Sequence, residues 1–313
     1  MQKTLVTSYV NPDIDGVACA IAYAELLNST GKPSEVRFFG EEHDEAKYVM
    51  QRFGIGRPES ILDACGYELI ALVDTSQLSA LENRVPPENV TEIIDHRAVN
   101  DAASFPNAAV QIELVGSAAT LIAEKFFAHG VAPSRDAAIL LYSAIISNTL
   151  NFTGSVTTER DRTAAASLNN IAKLSDSFAR ELFEAKSDLS GTKLAATIEG
   201  DFAQFNIAGK NIGIAQLEVI GANNLIATRK GEIIDALHAQ KRELRLDYTF
   251  LNTIDLAGGP NIIVALDRDS ERLLTSTLAV HFAEGIGLAD KRPMRKQIAP
   301  LLRAHLEGGD RAP

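Results

Sequence analysis

Through the first half of the chain, short apolar runs of strand length alternate with stretches whose apolar positions recur at helical spacing. Thr4 to Tyr9, Val36 to Phe39, Leu69 to Val73 and Thr91 to Ile94 read as strands, and this alternation is the sequence form of a parallel sheet. Between the first two, Val17, Ala20, Ile21 and Ala24 fall on one face of a helix that opens near Asp15 and stops at Gly31. Ser117 is placed to cap a helix with Ala118, Leu121, Ile122 and Phe126 on one side, and Ser134 to cap another, from Arg135 towards Asn148. That second helix is apolar nearly all round, which predicts burial. Helices are also expected over Glu159 to Leu174 and Ser177 to Ala185. The polar segment from Lys186 to Lys193 then reads as a boundary between a domain over 1–188 and a smaller one over 193–313. In the second, Asn211 to Leu217 and Asn261 to Leu266 read as strands, Lys230 to Leu244 as a long helix and Gly258-Gly259-Pro260 as a turn. The expected class is α/β: a parallel-sheet N-terminal domain with flanking helices, followed by a smaller α/β C-terminal domain.

Composition limits what such a chain can do. Its 313 residues, 46% apolar and 23% charged, suffice for ordinary cores and exclude a disordered chain. With 41 acidic and 30 basic side chains the net charge is −11, which argues against a general duplex nucleic-acid binder. The first residues lack the apolar core of a signal peptide, and no run approaches the ~20 apolar residues of a membrane span, so a cytoplasmic location without a membrane partner is expected. Cys19 and Cys65 are too few for a disulfide framework and are expected to be reduced and packed as small apolar groups.

The informative chemistry lies just after the strands. Asn11-Pro12-Asp13-Ile14-Asp15-Gly16 follows the first strand, and in an open parallel sheet ligands bind outside the carboxyl ends of the strands. Asp13 and Asp15 can offer carboxylates to neighbouring cations; equally, the stretch alone can be an Asx-turn with Asp15 as helix cap. Recurrence decides between these. The strand from Leu69 runs into Asp74, and that from Thr91 runs into Asp95-His96-Arg97. Carboxylates gathered from three strand ends at one sheet edge call for divalent charge. A lone histidine is more often a surface or core residue, but His96 beside Asp95 in this setting reads as a metal ligand. Arg97 has no lone pair for a cation, although its fork can hold a phosphate oxygen.

Asn11-Pro12-Asp13-x-Asp15, Asp74 after an apolar strand, and Asp95-His96-Arg97 resemble the motifs of the DHH phosphoesterase superfamily, and more narrowly those of the manganese-dependent (family II) inorganic pyrophosphatases. Val115-Gly116-Ser117-Ala118-Ala119-Thr120, Ile145-Ile146-Ser147-Asn148-Thr149 and Arg295-Lys296-Gln297 extend the similarity in order along nearly the whole chain. The resemblance implies hydrolysis of phosphoanhydride bonds, with inorganic pyrophosphate the leading substrate, by hydroxide bridging two divalent cations, Mn²⁺ or Mg²⁺, about 3.5–4 Å apart. It implies that Asp13 and Asp15 sit on different cations, that Asp74 bridges them, and that His96 completes the second site. Arg295 and Lys296 would contact the small anionic substrate, the active site would lie in the cleft between the domains, and the chain would form a homodimer through the first domain's sheet edge. On the residues alone, Arg295 and Lys296 read as a solvated basic helix start.

Several positions depart from that pattern. Tyr9 stands where the family carries a metal-binding histidine, Asn148 where it carries a bridging aspartate, and Arg97 at the second histidine of Asp-His-His. Ala203 and Met294 stand where it carries a basic phosphate contact. A site left mainly with oxygens from Asp13 and Asp74, and with Asn148 as a candidate ligand, should be weaker and more tolerant of Mg²⁺. Three alternatives stay open. An Asp-His-Arg motif also suits a short-chain exopolyphosphatase or another small phosphoester hydrolase. The lost ligands suit a phosphate-binding protein without turnover. A nucleotide-polymer phosphodiesterase is disfavoured because Gly258-Gly259 is followed by Pro260, not histidine.

Overall fold

The computed structural model describes residues 3–308. They divide into two compact units, one ending at Ala185 and the other beginning at Lys186.

The first unit contains β1 (Thr4–Thr7), α1 (Ile14–Ser29), β2 (Ser34–Val36), α2 (Asp44–Phe53), β3 (Ile70–Val73), β4 (Val90–Asp95), β5 (Ala109–Ile112), α3 (Ala118–Ala128), α4 (Arg135–Asn148), α5 (Glu159–Ala172) and α6 (Phe178–Lys186). Its five strands form one sheet in the order β2-β1-β3-β4-β5. Every pairing is parallel, as in Val6 with Ala71 and Leu72 with Ile93. Strand order therefore reverses between β1 and β3, and in open sheets the crevice at the carboxyl ends beside such a reversal is where ligands bind. All four residues of β3 are buried, which explains its uninterrupted apolar run. Leu5, Ile70, Leu72 and Ile93 meet Phe39 and Phe105 in the core, while α4 packs against α1 and α5 with Ile139, Leu140, Ile145 and Ile146 fully buried.

The expected elements of this unit are present, β1 and β3 shorter than expected and β4 one residue longer at each end. β1 stops at Thr7, and β2 lies at Ser34–Val36, with Phe38 in an isolated bridge to Ser60. Ser117 and Ser134 cap α3 and α4 through their hydroxyls. Helix α1 opens one residue earlier than expected, because Asp13, not Asp15, is its cap. Cys19 is buried as expected; Cys65 is exposed, a correction to its expected packing, and both are free thiols.

The second unit contains α7 (Lys193–Gly200), β6 (Phe202–Ile207), β7 (Lys210–Val219), α8 (Ala222–Glu243), β8 (Tyr248–Asp255), β9 (Asn261–Ala265), α9 (Arg268–Leu278), β10 (His281–Ala283), β11 (Ile286–Ala289) and α10 (Arg295–Gly308). Its sheet runs β10-β11-β9-β8-β7-β6, with β7 and β8 parallel and the other neighbours antiparallel. Two apolar layers pack against it, one around Leu217, Ile233, Leu237 and Leu251, the other around Ile214, Phe250, Ile298 and Leu302. Helix α8 begins eight residues before the expected Lys230 and bends at Arg229, whose φ and ψ are −125° and 20°. There the Arg229 guanidinium donates to the carbonyls of Leu189 and Gly191, and ordinary helical periodicity is broken at the bend.

Among the described residues no helix is long and apolar enough to cross a membrane.

Candidate metal centre

β1, β3 and β4 are adjacent and parallel, so the turn after β1, Asp74 after β3 and the Asp95-His96 end of β4 reach one edge of the sheet. The turn after β1 is tight. Asn11 has φ 56°, its Oδ1 accepts from the N–H of Glu41 at 3.0 Å, and its own N–H donates to the Phe39 carbonyl. Gly16 is required here, since a Cβ would lie 2.6 Å from Ser8 Oγ. Asp13 Oδ1 accepts from the N–H groups of Asp15 and Gly16 at 2.8 and 3.1 Å, capping α1.

Asp15 is fully buried on the first turn of α1 and reaches the start of α3. Ser117 Oγ, the Ala118 N–H and the Ala119 N–H each donate to its carboxylate at 2.9 Å, where the positive end of the α3 dipole also favours an anion. The turn that presents these donors is held by a second buried carboxylate, Asp161. It accepts from the Gly116 N–H, from Thr120 Oγ1 at 2.6 Å and from Thr158, whose capping box with Asp161 opens α5. Gly116 has no room for a side chain, because a Cβ would lie 2.6 Å from Thr149 Cγ2.

Asp74 is also fully buried, with φ 52° in the left-handed region, a conformation costing about 1 kcal/mol for a residue with a Cβ. Its N–H donates to the Ile94 carbonyl, which fixes the strained turn. His96 Nδ1 lies 3.0 Å from the Val115 carbonyl. That contact makes Nδ1 the protonated nitrogen and leaves the Nε2 lone pair facing the carboxylates, 3.4 Å from Asp74 Oδ1 and 3.9 Å from Asp15 Oδ2. Asp15, Asp74 and His96 thus bring three ligand atoms within 4.8 Å of one another.

The electrostatics fit a cation. Burial, then the Asp74 charge, pushes the Asp15 carboxyl up to about 7. Burial does the same to Asp74, to about 8, with Asp13 and Asp95 adding to it and Arg97 opposing it. Asp74 Oδ2 is buried without a hydrogen-bond donor. Two carboxylates, one of them with a donorless buried oxygen, and an open imidazole nitrogen form a mixed N/O set suited to a divalent ion. Tyr9 contributes a phenol held neutral, its pKa raised well above normal by burial and by the charges of Asp13 and Asp74. Its hydroxyl oxygen accepts from the Asp13 N–H at 3.1 Å.

Two candidate residues are placed differently from expectation. Asn148 turns its amide NH₂ to Asp15 Oδ2 at 2.5 Å, so in this arrangement it orients a carboxylate instead of acting as a ligand. Arg97, expected to face phosphate, lays Nη1 on carboxylates, 3.0 Å from Asp74 Oδ1 and 2.8 Å from Asp95 Oδ1. Although burial disfavours its charge, these acids outweigh that and hold the guanidinium cationic. Asp95 itself accepts from Ser76 Oγ and from the His96 N–H, and so braces the ligand loop.

In the second unit, Arg295 pairs with Asp201 Oδ1 at 2.8 Å, and its N–H donates to Gln216 Oε1. Asn252 and Asn261 both donate to the Pro293 carbonyl, fixing the approach to α10. Met294, read from the sequence as a departure from the basic pattern, is buried. Asp161, Ser76 and the Val115 carbonyl are supports that the sequence reading missed. Only Asp161 carried a signal, the Thr158-x-x-Asp161 spacing of a capping box.

The DHH family, N-terminal domain, matches residues 3–145, and the DHHA2 domain matches residues 180–305. The chain is 31% identical over 253 residues to the manganese-dependent inorganic pyrophosphatase of Methanothrix thermoacetophila, covering 80% of this chain and 81% of that one. It is 29% identical over 307 residues to a Shouchella clausii protein named as a probable manganese-dependent inorganic pyrophosphatase, covering 96% of this chain and 97% of that one. The crystal structure of a Methanococcus jannaschii protein assigned to the family II inorganic pyrophosphatases matches with a TM-score of 0.83 at 29% identity, covering 97% of this chain and 100% of that one.

Proposed function

This chain belongs to the DHH family, among the manganese-dependent inorganic pyrophosphatases, and on that premise we propose that it hydrolyses inorganic pyrophosphate to phosphate with the aid of divalent cations. The observation that carries the reading is the buried group of Asp15, Asp74 and His96 at the carboxyl edge of the first sheet. These three residues would hold a cation; bound there, it supplies a Lewis acid for phosphate oxygens and acidifies water.

The chain's own groups do the positioning. The Val115 carbonyl fixes which His96 nitrogen is open, and the α3 N-terminus with Ser117 and Asn148 sets the angle of the Asp15 carboxylate. Asp13, beside this group, is assigned to a second cation together with Asp74. Nη1 of Arg97 is taken up by carboxylates, which leaves its other N–H groups for a phosphate oxygen of the substrate. Arg295 and Lys296, in the second unit, are assigned as further phosphate contacts that stabilise charge developing on the leaving group.

Short polyphosphate is the second reading. It is favoured by buried Met294 and small Ala203, which replace two basic contacts of a compact pyrophosphate clamp. Phosphate release from pyrophosphate, tripolyphosphate, nucleotides and phosphomonoesters, each with Mn²⁺, Mg²⁺ and Co²⁺, tests both readings. Pyrophosphate is expected to be the best substrate; release confined to longer chains would select the second reading, and binding without any release would replace both with a sensor.

A further inference from the structure

The ligand group of Asp15, Asp74 and His96 has a neighbour that a two-cation centre does not require. Arg97 Nη1 lies 3.0 Å from Asp74 Oδ1, the carboxylate oxygen that also lies 3.4 Å from His96 Nε2. The same nitrogen is 2.8 Å from Asp95 Oδ1 and donates to the Asp74 backbone carbonyl. The guanidinium carbon sits 5.5 Å from the centroid of the Tyr9 ring, an arrangement that favours a cation over an aromatic face. One permanent positive charge is thereby tethered between Asp74, Asp95 and the Tyr9 ring.

A second divalent ion beside Asp74 would find poor donors. The Tyr9 hydroxyl is neutral and already accepts the Asp13 N–H. Asp13 Oδ1 already accepts two N–H groups at the start of α1. The Arg97 guanidinium on Asp74 Oδ1 also repels a divalent ion there and has no lone pair to offer it. The Asp15, Asp74 and His96 group also meets the guanidinium at Asp74 Oδ1, and Asp15 already accepts from Ser117, Ala118, Ala119 and Asn148, but this group alone adds a nitrogen donor. Its imidazole nitrogen is open, and helix N–H groups aim the Asp15 carboxylate.

We propose that Arg97 serves as a tethered cation at the second metal position, so that the centre binds one divalent ion tightly and a second only weakly. The inference rests on the metal-centre reading above and goes beyond it by assigning unequal sites and a residue responsible for the inequality. Arg97 then has two faces. Nη1 replaces part of the missing charge on the carboxylates, while the rest of the fork meets a phosphate oxygen.

The test is Mn²⁺ titration of the metal-stripped full chain by calorimetry, with electron paramagnetic resonance as a readout independent of turnover. Wild type is expected to bind one Mn²⁺ per chain at least about tenfold more tightly than a second, and at one equivalent to show the signal of isolated Mn²⁺. Arg97→Ala should tighten the second Mn²⁺ by about tenfold or more and bring in an exchange-coupled signal at two equivalents, whereas Arg97→Lys should leave the second ion weak. Two equally tight sites in wild type would overturn the proposal, as would an Arg97→Ala protein whose second ion binds no more tightly than in wild type. The wild-type titration decides alone if the variant does not fold. Binding of no ion would overturn the metal-centre reading as well, so the two failures are distinguishable.

Discussion

Asp15 and Asp74 have carboxyl pKa values near 7 and 8 in the metal-free protein, against an ordinary 3.8, for the same reason that they suit a metal: both are buried close together. A raised folded-state value means that the native state holds protons which the unfolded chain has released. Stability from these groups is complete below about pH 4 and is lost as pH rises towards about 8. A cation must expel those protons, so its apparent affinity should climb by up to about tenfold per pH unit for each proton displaced. Thermal unfolding with and without Mn²⁺ between about pH 6 and about pH 8 should show the stabilisation widening with pH; a constant gap would contradict the assignment. Asn148→Asp places a carboxylate where an amide now donates to Asp15. It is expected to tighten Mn²⁺ by about tenfold or more while lowering the melting temperature of the stripped protein, as read by calorimetry and circular dichroism. The sequence showed the acids at the strand ends because strand period and residue type are local signals. The cap made by Asp13 and the turn of Arg97 onto Asp74 depend on neighbours from other strands, and no local signal records them.

At the scale of elements, the proposed cation ligands depend on a support formed by the starts of α3 and α5. Asp161 joins them by accepting from Gly116, Thr120 and Thr158. Asp161→Ala would leave several buried donors unpaired, each costing about 1–3 kcal/mol, and should destabilise the fold by at least about 2 kcal/mol. Denaturant melts measure this, and a loss within about 0.5 kcal/mol would show the residue to be dispensable. The caps at Ser117 and Ser134 were legible because a small hydroxyl precedes a long apolar pattern. Strand β5 was not, since four residues with two exposed side chains at a sheet edge carry no alternation to read. The early start of α8 was hidden by the bend at Arg229, which interrupts the period on which a helix is recognised.

For the whole molecule, a net charge of −11 and an anionic substrate are compatible because the acids are not evenly spread. Part of the excess is the carboxylate group that cations neutralise. The basic segment before and within α10 offers less free charge than its sequence suggests: Arg292 donates to the Asp255 carbonyl, Arg295 pairs with Asp201, and Arg303 pairs with Glu307. If Arg295 nevertheless contacts substrate, Arg295→Ala should raise KM for pyrophosphate by about tenfold. Mn²⁺ affinity should not change, because the residues proposed to hold the cation all belong to the first unit. Equal losses in KM and metal affinity would assign the residue to folding instead. The central claim, that the buried Asp15, Asp74 and His96 centre drives cleavage of pyrophosphate, is tested most directly by one comparison. Phosphate release from pyrophosphate is measured with the metal-stripped chain before and after Mn²⁺ is restored, and again with Asp74→Asn. The account predicts release that appears with the ion and falls by about a thousandfold or more in Asp74→Asn; release that is indifferent to the ion, or undiminished in the variant, would contradict it.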